Sequence, residues 1–193
     1  MPPDSLFAIF LNALLINNFV LAQFLGLCSF LGVSNKVKTA GNMGLAVTFV
    51  MLISSVSAFA INHVLSHFGL PFLRLISYIA VIAAAVQLVE LLIKKYSPGL
   101  FRALGIYLPL ISTNCAILGL ALFQTSKEYS ISQCLAYSVG AGGGFTLAML
   151  LMAGLREKLD LADLPGLARG TALTLVIAGL LSLAFMGFAG LGG

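Results

Sequence analysis

The 193-residue chain has no tryptophan, only three cysteines and six prolines, and little charge: ten Lys+Arg and six Asp+Glu make up 8% of it. Soluble domains carry about 25% charged and about 45–50% apolar residues, whereas 60% of this chain is hydrophobic. That shortage of charge excludes a soluble globular enzyme and a disordered chain. It also excludes a nucleic-acid partner. The net charge is +4, but the basic residues are scattered over connecting loops and build no patch. Three cysteines, an odd number, argue against a disulfide framework. No Ser/His/Asp or paired-carboxylate arrangement falls inside the apolar runs, which speaks against hydrolytic chemistry.

What the chain has instead is length without charge. Thirty-one uncharged residues separate Asp4 from Lys36, and 35 separate Lys38 from Arg74. Further runs cover 75–89, 103–126, 129–155 and 170–193. A membrane helix takes about 20 apolar residues, and these are continuous Leu/Ala/Val/Ile stretches rather than alternating segments of about 10. They predict an all-α integral membrane protein with six transmembrane helices, at about 6–33, 39–63, 70–93, 103–125, 131–154 and 170–190, in one transmembrane domain over 1–193. Met1-Pro2-Pro3-Asp4 has no positive n-region and no cleavage site follows, so 6–33 is expected to be retained. Lys36, Lys38, Lys94, Lys95, Arg102, Arg156, Lys158 and Arg169 fall in the odd-numbered loops, against only Arg74 and Lys127 in the even ones. The positive-inside rule then puts both termini outside the cytoplasm.

Six helices divide into two groups of three, about 5–95 and 101–191, and an odd number of crossings inverts the second group. Leu15-Ile16-Asn17-Asn18 in helix 1 resembles Ile111-Ser112-Thr113-Asn114 in helix 4. Inverted repeats with interrupted helices are a transporter-like architecture with its site near the midplane. Thirty-one residues of unbroken helix would be roughly 46 Å long, against a hydrocarbon core of about 30 Å. A break near Asn17-Asn18 absorbs the excess, and Pro109 opens the ladder ahead of Thr113-Asn114. Helices 1 and 4 are therefore expected to be discontinuous, with Asn17, Asn18, Thr113 and Asn114 at the breaks or on an ion path. The competing reading is that these side chains only bond neighbouring helices.

Cys28 and Cys115 occupy corresponding helices at depths of roughly 12 and 20 Å from the cytoplasmic ends, so they can share one site. Two thiolates do not complete a zinc or iron–sulfur site, which takes four ligands, so a bound cluster would need a partner chain for the rest. Cys134, near the outer end of helix 5, reads as structural. Gly140-Ala141-Gly142-Gly143-Gly144 lies inside a helix with no preceding strand, which fits close helix packing better than a nucleotide loop. His63 and His67 read as an interfacial pair. Glu90 precedes Lys94 by four residues, which suits an ion pair near the membrane surface, while an ionisable group in a span also suits an ion path.

Asn17-Asn18-Phe19-Val20-Leu21 through Phe24-Leu25-Gly26-Leu27-Cys28, then Gly32-Val33-Ser34, closely resembles the A-type members of the Rnf ion-translocating electron-transport complexes. So do Leu108-Pro109-Leu110-Ile111-Ser112-Thr113-Asn114-Cys115 and Ala184-Phe185-Met186-Gly187-Phe188. Arg156-Glu157-Lys158-Leu159 with Ala162-Asp163-Leu164-Pro165 fits that family's last cytoplasmic loop. The paralogous E-type member of the sodium-translocating NADH:quinone reductase is similar in plan but typically reads Glu-Asn where this chain has Asn17-Asn18.

The resemblance implies a multi-pass protein of the bacterial inner membrane with periplasmic termini. It would pair with a homologous E-type partner of inverted topology and with the other subunits of the Rnf complex. A [2Fe-2S] cluster would be shared between the pair, with Cys28 and Cys115 as this chain's ligands. Flavins and other clusters would belong to partner subunits, leaving no complete active site in this chain. Electron transfer between ferredoxin and NAD would be coupled to Na+ or H+ transport. The residues without the resemblance point to a stand-alone inverted-repeat secondary transporter, which would be colourless and active alone.

Overall fold

The structure, a computed structural model, describes residues 5–69, 71–96, 110–111, 113–160 and 171–189. Helix α1 (Leu6–Leu11) runs into one π-helical turn (Asn12–Ile16), and after a non-helical stretch the chain resumes as α2 (Leu27–Val33). There follow α3 (Val37–Phe68), a 3-10 turn (Pro71–Leu73), α4 (Arg74–Tyr96), α5 (Cys115–Ser126), α6 (Ile131–Asp160) and α7 (Thr171–Ala189). Among the described residues there is no strand, as the absence of alternating segments predicts.

Val37–Phe68, Arg74–Leu92 and Ile131–Leu159 are each long and apolar enough to cross a membrane, and Leu6–Ile16, Cys115–Ser126 and Ala172–Gly187 are shorter apolar helices. The expected first span is interrupted: the helix ends at Ile16 and restarts at Leu27. In the expected fourth span, Pro109 and Ser112 lie outside the described residues, and α5 starts at Cys115. Arg102 and Arg169 also lie outside them.

The centre of the molecule is the α3–α6 pair, and its contact is reciprocal. A Cβ on Gly44 would stand 2.6 Å from the Thr146 methyl, and one on Gly142 would stand 2.6 Å from the Thr48 methyl. Thr48 Oγ1 donates to the Gly44 carbonyl at 2.8 Å, Thr146 Oγ1 donates to the Gly142 carbonyl at 2.8 Å, and the two hydroxyls face each other at 3.4 Å. Small residues are what allow two membrane helices to approach this closely. On its other side α6 seats the broken first span, with room for no side chain: a Cβ on Gly140 would lie 2.6 Å from the Phe10 carbonyl oxygen, and one on Gly144 2.7 Å from that of Leu14. The glycine run is thus a two-sided packing surface.

Met43, Val47 and Met51 of α3 and Ala148, Met149 and Met152 of α6 are wholly buried at this seam. The outward faces are apolar as well, with Phe49, Leu88, Leu91, Leu180, Leu183 and Met186 all exposed, which suits a lipid-facing exterior.

Gly142→Ala is expected to destabilise the protein by about 1–3 kcal/mol through overpacking against Thr48. Gly154→Ala, whose added Cβ meets nothing within 4 Å, is the matched control. Thermal unfolding in detergent separates the two, and equal melting temperatures would refute the close-packing account.

Candidate functional site

The interrupted span and the start of α5 meet, and the meeting point is built from backbone groups that helix geometry leaves free. Asn18 is wholly buried at the break. Its Oδ1 accepts from the backbone N–H of Val20 at 3.0 Å and Leu21 at 3.4 Å, while its Nδ2 donates to the carbonyls of Gly144 at 2.7 Å and Leu14 at 3.3 Å. One amide side chain therefore caps the turn and ties it to α6. Asn17, beside it, donates from Nδ2 to Asn12 Oδ1, and its own N–H reaches the Asn12 carbonyl at 2.7 Å, closing the π-turn.

Further backbone groups of the stretch are bonded as well. The Ala22 N–H donates to the Asn18 carbonyl at 2.9 Å and the Leu25 N–H to that of Phe19 at 2.8 Å. Ser182 Oγ on α7 donates to the Leu21 carbonyl at 2.7 Å. Phe19, fully buried, plugs the stretch into its neighbours, its ring 5.9 Å from that of Phe123 and 6.0 Å from that of Tyr137. Leu25 fills the gap left by Gly119, where a Cβ would stand 2.6 Å from its Cδ1.

Asn114 plays the matching part at α5. Its Oδ1 accepts from the Ala116 N–H at 3.0 Å as the N-cap, and its Nδ2 donates to Ser29 Oγ of α2 at 3.2 Å. Ser29 in turn donates to the Gly26 carbonyl at 3.1 Å. Gly26, the N-cap of α2, holds φ +79°, and an added Cβ would stand 2.9 Å from the Phe145 ring and 3.1 Å from Asn114 Oδ1. The left-handed backbone and the crowding both require glycine there.

This junction brings the two cysteines to adjacent helix starts. Cys28 is the second residue of α2 and Cys115 the first of α5, and both are exposed. The Gly26 N–H donates to Cys115 Sγ at 2.8 Å, which puts that sulfur against the backbone two residues ahead of Cys28. Outward-facing thiols on fixed helix starts are soft donors suited to an iron–sulfur cluster. Among the described residues no group of three or more His, Cys, Asp or Glu gathers, and the thiols at this place are those of Cys28 and Cys115. Cys134 stands apart, buried on α6, its thiol 3.6 Å from the Tyr129 carbonyl.

Thr113 lies exposed in the turn before Asn114. Glu90 is half-buried on α4, away from the cysteine junction in sequence and element. His63 and His67 are exposed on the last turns of α3. Sequence reasoning missed Gly26, Ser29, Gly144 as an acceptor, and Phe24, which takes φ +57° while 56% exposed. It also missed a second buried polar cluster: Ser55 Oγ donates to Gln124 Oε1 at 2.6 Å, Gln124 Nε2 returns a bond to the Ser55 carbonyl at 2.9 Å, and Tyr78 pairs with Thr125 at 2.8 Å. The glycine inside Phe24-Leu25-Gly26-Leu27-Cys28 was the one available signal for the αL cap.

Comparison with known proteins bears on this arrangement. Residues 6–192 match the family described as "Rnf-Nqr subunit, membrane protein". A protein of Syntrophotalea carbinolica is 54% identical over 188 residues, covering 97% of each chain. One of Serratia proteamaculans is 52% identical, and one of Yersinia enterocolitica 50%, each over 184 residues and 95% of both chains. All three are named as the A-type subunit of an "ion-translocating oxidoreductase complex".

Asn18→Leu is expected to lower stability by about 3–6 kcal/mol, since it strands the Gly144 carbonyl and two N–H groups at about 1–2 kcal/mol each. Asn114→Leu should follow it, while Asn42→Leu near the start of α3 should stay within about 0.5 kcal/mol. Chemical unfolding of the purified chain in detergent measures all three. Equal tolerance would mean that the breaks do not depend on these amides.

Proposed function

Because the chain belongs to the Rnf-Nqr family of membrane subunits, we propose that it is the A-type member of a redox-driven ion-translocating oxidoreductase complex. Its part is to carry electrons across the membrane, between ferredoxin- and NAD-reacting subunits, and to couple that flow to transport of Na+ or H+. The single observation that carries this reading is the junction of two helix starts where Cys28 and Cys115 both face outward.

Their donor set fits half of an all-cysteine [2Fe-2S] site, which takes four thiolates. Cys28 and Cys115 would hold two of its corners, and a homologous E-type partner of inverted topology would supply the other two. When bound, the cluster would accept and pass on one electron at a time. This chain's residues do the positioning. Asn114 and Ser29 tie the two helix starts together, the Gly26 N–H points at the Cys115 sulfur, and Phe145 closes the space behind. A site between two protein chains also keeps a charged group away from lipid.

The inverted-repeat reading is supported by two pairs of equivalent contacts. Asn18 and Asn114 each cap the N–H two residues on. Gly44–Thr48 and Gly142–Thr146 meet reciprocally at the α3–α6 seam. Each pair matches a position in the proposed first repeat, about 5–95, with its counterpart in the second, about 101–191. The Asn17, Asn18, Thr113 and Asn114 breaks are then the natural place for an ion to find backbone oxygens, with Glu90 as a further candidate on its route. A stand-alone transporter is the second reading, and the outward exposure of both thiols disfavours it, because a self-sufficient transporter would have no use for them at its surface.

In the assembled complex from a bacterial inner membrane, Cys28→Ser and Cys115→Ser should each abolish the iron–sulfur EPR signal that Cys134→Ser leaves intact; survival of the signal in the Cys28/Cys115 double variant overturns the reading. A reporter that works only outside the cytoplasm should be active when fused after Gly193, as the loop charges require.

A further inference from the structure

The far end of α2 is held as firmly as its Cys28 end. The last carbonyls of any helix lack partners within it, and in α2 one of them, that of Leu31, accepts from Arg156 Nη1 at 3.1 Å. The same nitrogen donates to Ser34 Oγ at 3.0 Å, and Ser34 is wholly buried. Next to it, Glu157 Oε1 accepts from the Val37 N–H at 2.9 Å, at the first residue of α3. Two consecutive residues near the end of α6 thus bracket the tight turn between α2 and α3.

Arg156 also completes a pattern along α6. Gly144, twelve residues earlier, accepts from Asn18 at the start of the break. On a helix twelve residues span about 18 Å. The broken span is therefore strung along α6 between two ties, Asn18–Gly144 and Leu31/Ser34–Arg156, with Cys28 between them. An arginine is suited to this because its planar guanidinium donates along several directions, and charged hydrogen bonds are the stronger kind.

We propose that Arg156 is a positioning residue for the Cys28 thiol: by holding the end of the seven-residue α2 it fixes where that thiol is presented and what charge it feels. This rests on the reading of Cys28 as a cofactor ligand, but its geometric half does not need the cofactor. The test compares Arg156→Gln, Arg156→Lys, Ser34→Ala and, as control, Lys158→Gln, an exposed cation two residues along. In a chain whose other thiols are removed by Cys115→Ser and Cys134→Ser, the maleimide labelling rate of Cys28 is measured. In the assembled complex the EPR line shape and midpoint potential are measured.

Arg156→Gln should change the labelling rate by about tenfold, the lower end of the scale of one lost charged hydrogen bond. Ser34→Ala should change it in the same direction by less, and Lys158→Gln should not change it. In the complex, Arg156→Gln should shift the potential to more negative values and alter the line shape, while Arg156→Lys restores the potential by keeping the charge. Wild-type labelling and a wild-type spectrum in Arg156→Gln would overturn the proposal, as would an equal potential shift in Lys158→Gln. Should Arg156→Gln fail to assemble, Ser34→Ala decides the matter, and wild-type labelling of Cys28 in that variant would overturn it. A complex with no iron–sulfur signal at all would refute the cofactor reading instead, leaving the labelling result to stand or fall alone.

Discussion

Inside a bilayer a backbone that leaves helical geometry finds no water, and each stranded N–H or C=O costs several kcal/mol. Between Ile16 and Leu27 this chain makes such a departure, and much of the surrounding structure answers it. Asn18 satisfies two N–H groups and two carbonyls with one side chain, Ser182 covers the Leu21 carbonyl, and the Gly26 N–H turns to a sulfur. Burial of Phe19 and Leu25 under α5 keeps lipid away from the exposed backbone. Such a stretch is tolerated only where protein encloses it.

That requirement explains α6. For Asn18 to reach the Gly144 carbonyl, α6 must come within backbone contact of the π-turn, and any side chain at 140 or 144 would hold it off. The same helix must pack against α3 on its opposite face, so glycine recurs at 142. One short run thereby sets two spacings, that of α6 to the broken span through Gly140 and Gly144 and that of α6 to α3 through Gly142. The Thr48–Thr146 contact adds hydroxyls that return their protons to the helix's own carbonyls, so neither hydroxyl is stranded at the seam.

Much of this was legible in the residues. Charge spacing marked the helices, because the spans had to be nearly free of Asp, Glu, Lys and Arg, with Arg74 and Glu90 in the third as the exceptions. The first break followed from arithmetic, since 31 uncharged residues outrun the membrane and Asn17-Asn18 supplied the means to end a helix. What the residues could not reveal was partnership at long range. Asn18 and Gly144 are 126 positions apart, and Arg156 and Leu31 125; nothing local marks either pair. Arg156 in particular reads from the residues as a loop charge that signals topology, whereas α6 runs past the expected end at 154 to Asp160 and carries Arg156 on its last turns; that reading conceals its second role as a cap. Gly26 could be seen only as a glycine, because the need for φ +79° comes from the approach of Asn114 and Phe145.

The cysteine junction inherits its character from these ties. A thiol on the long, continuous α3 would sit in a fixed environment, with its nearest N–H groups spent on the helix ladder. Cys115 and Cys28 instead stand in the first turns of segments whose leading N–H groups have no intrahelical acceptor. The Gly26 N–H is already directed at sulfur, so a change of charge at Cys115 would be felt first by the αL residue that caps α2. From there the linkage runs through Ser29 and Asn114 to both helix starts and through Phe145 to α6. A change of charge at Cys115 would thus act on the hydrogen bonds of Gly26, Ser29 and Asn114, which hold the end of the break against the start of α5. The start of the break is held separately, by Asn18 on Gly144, so α6, which carries both Phe145 and Gly144, is the element through which a disturbance at one end would reach the other.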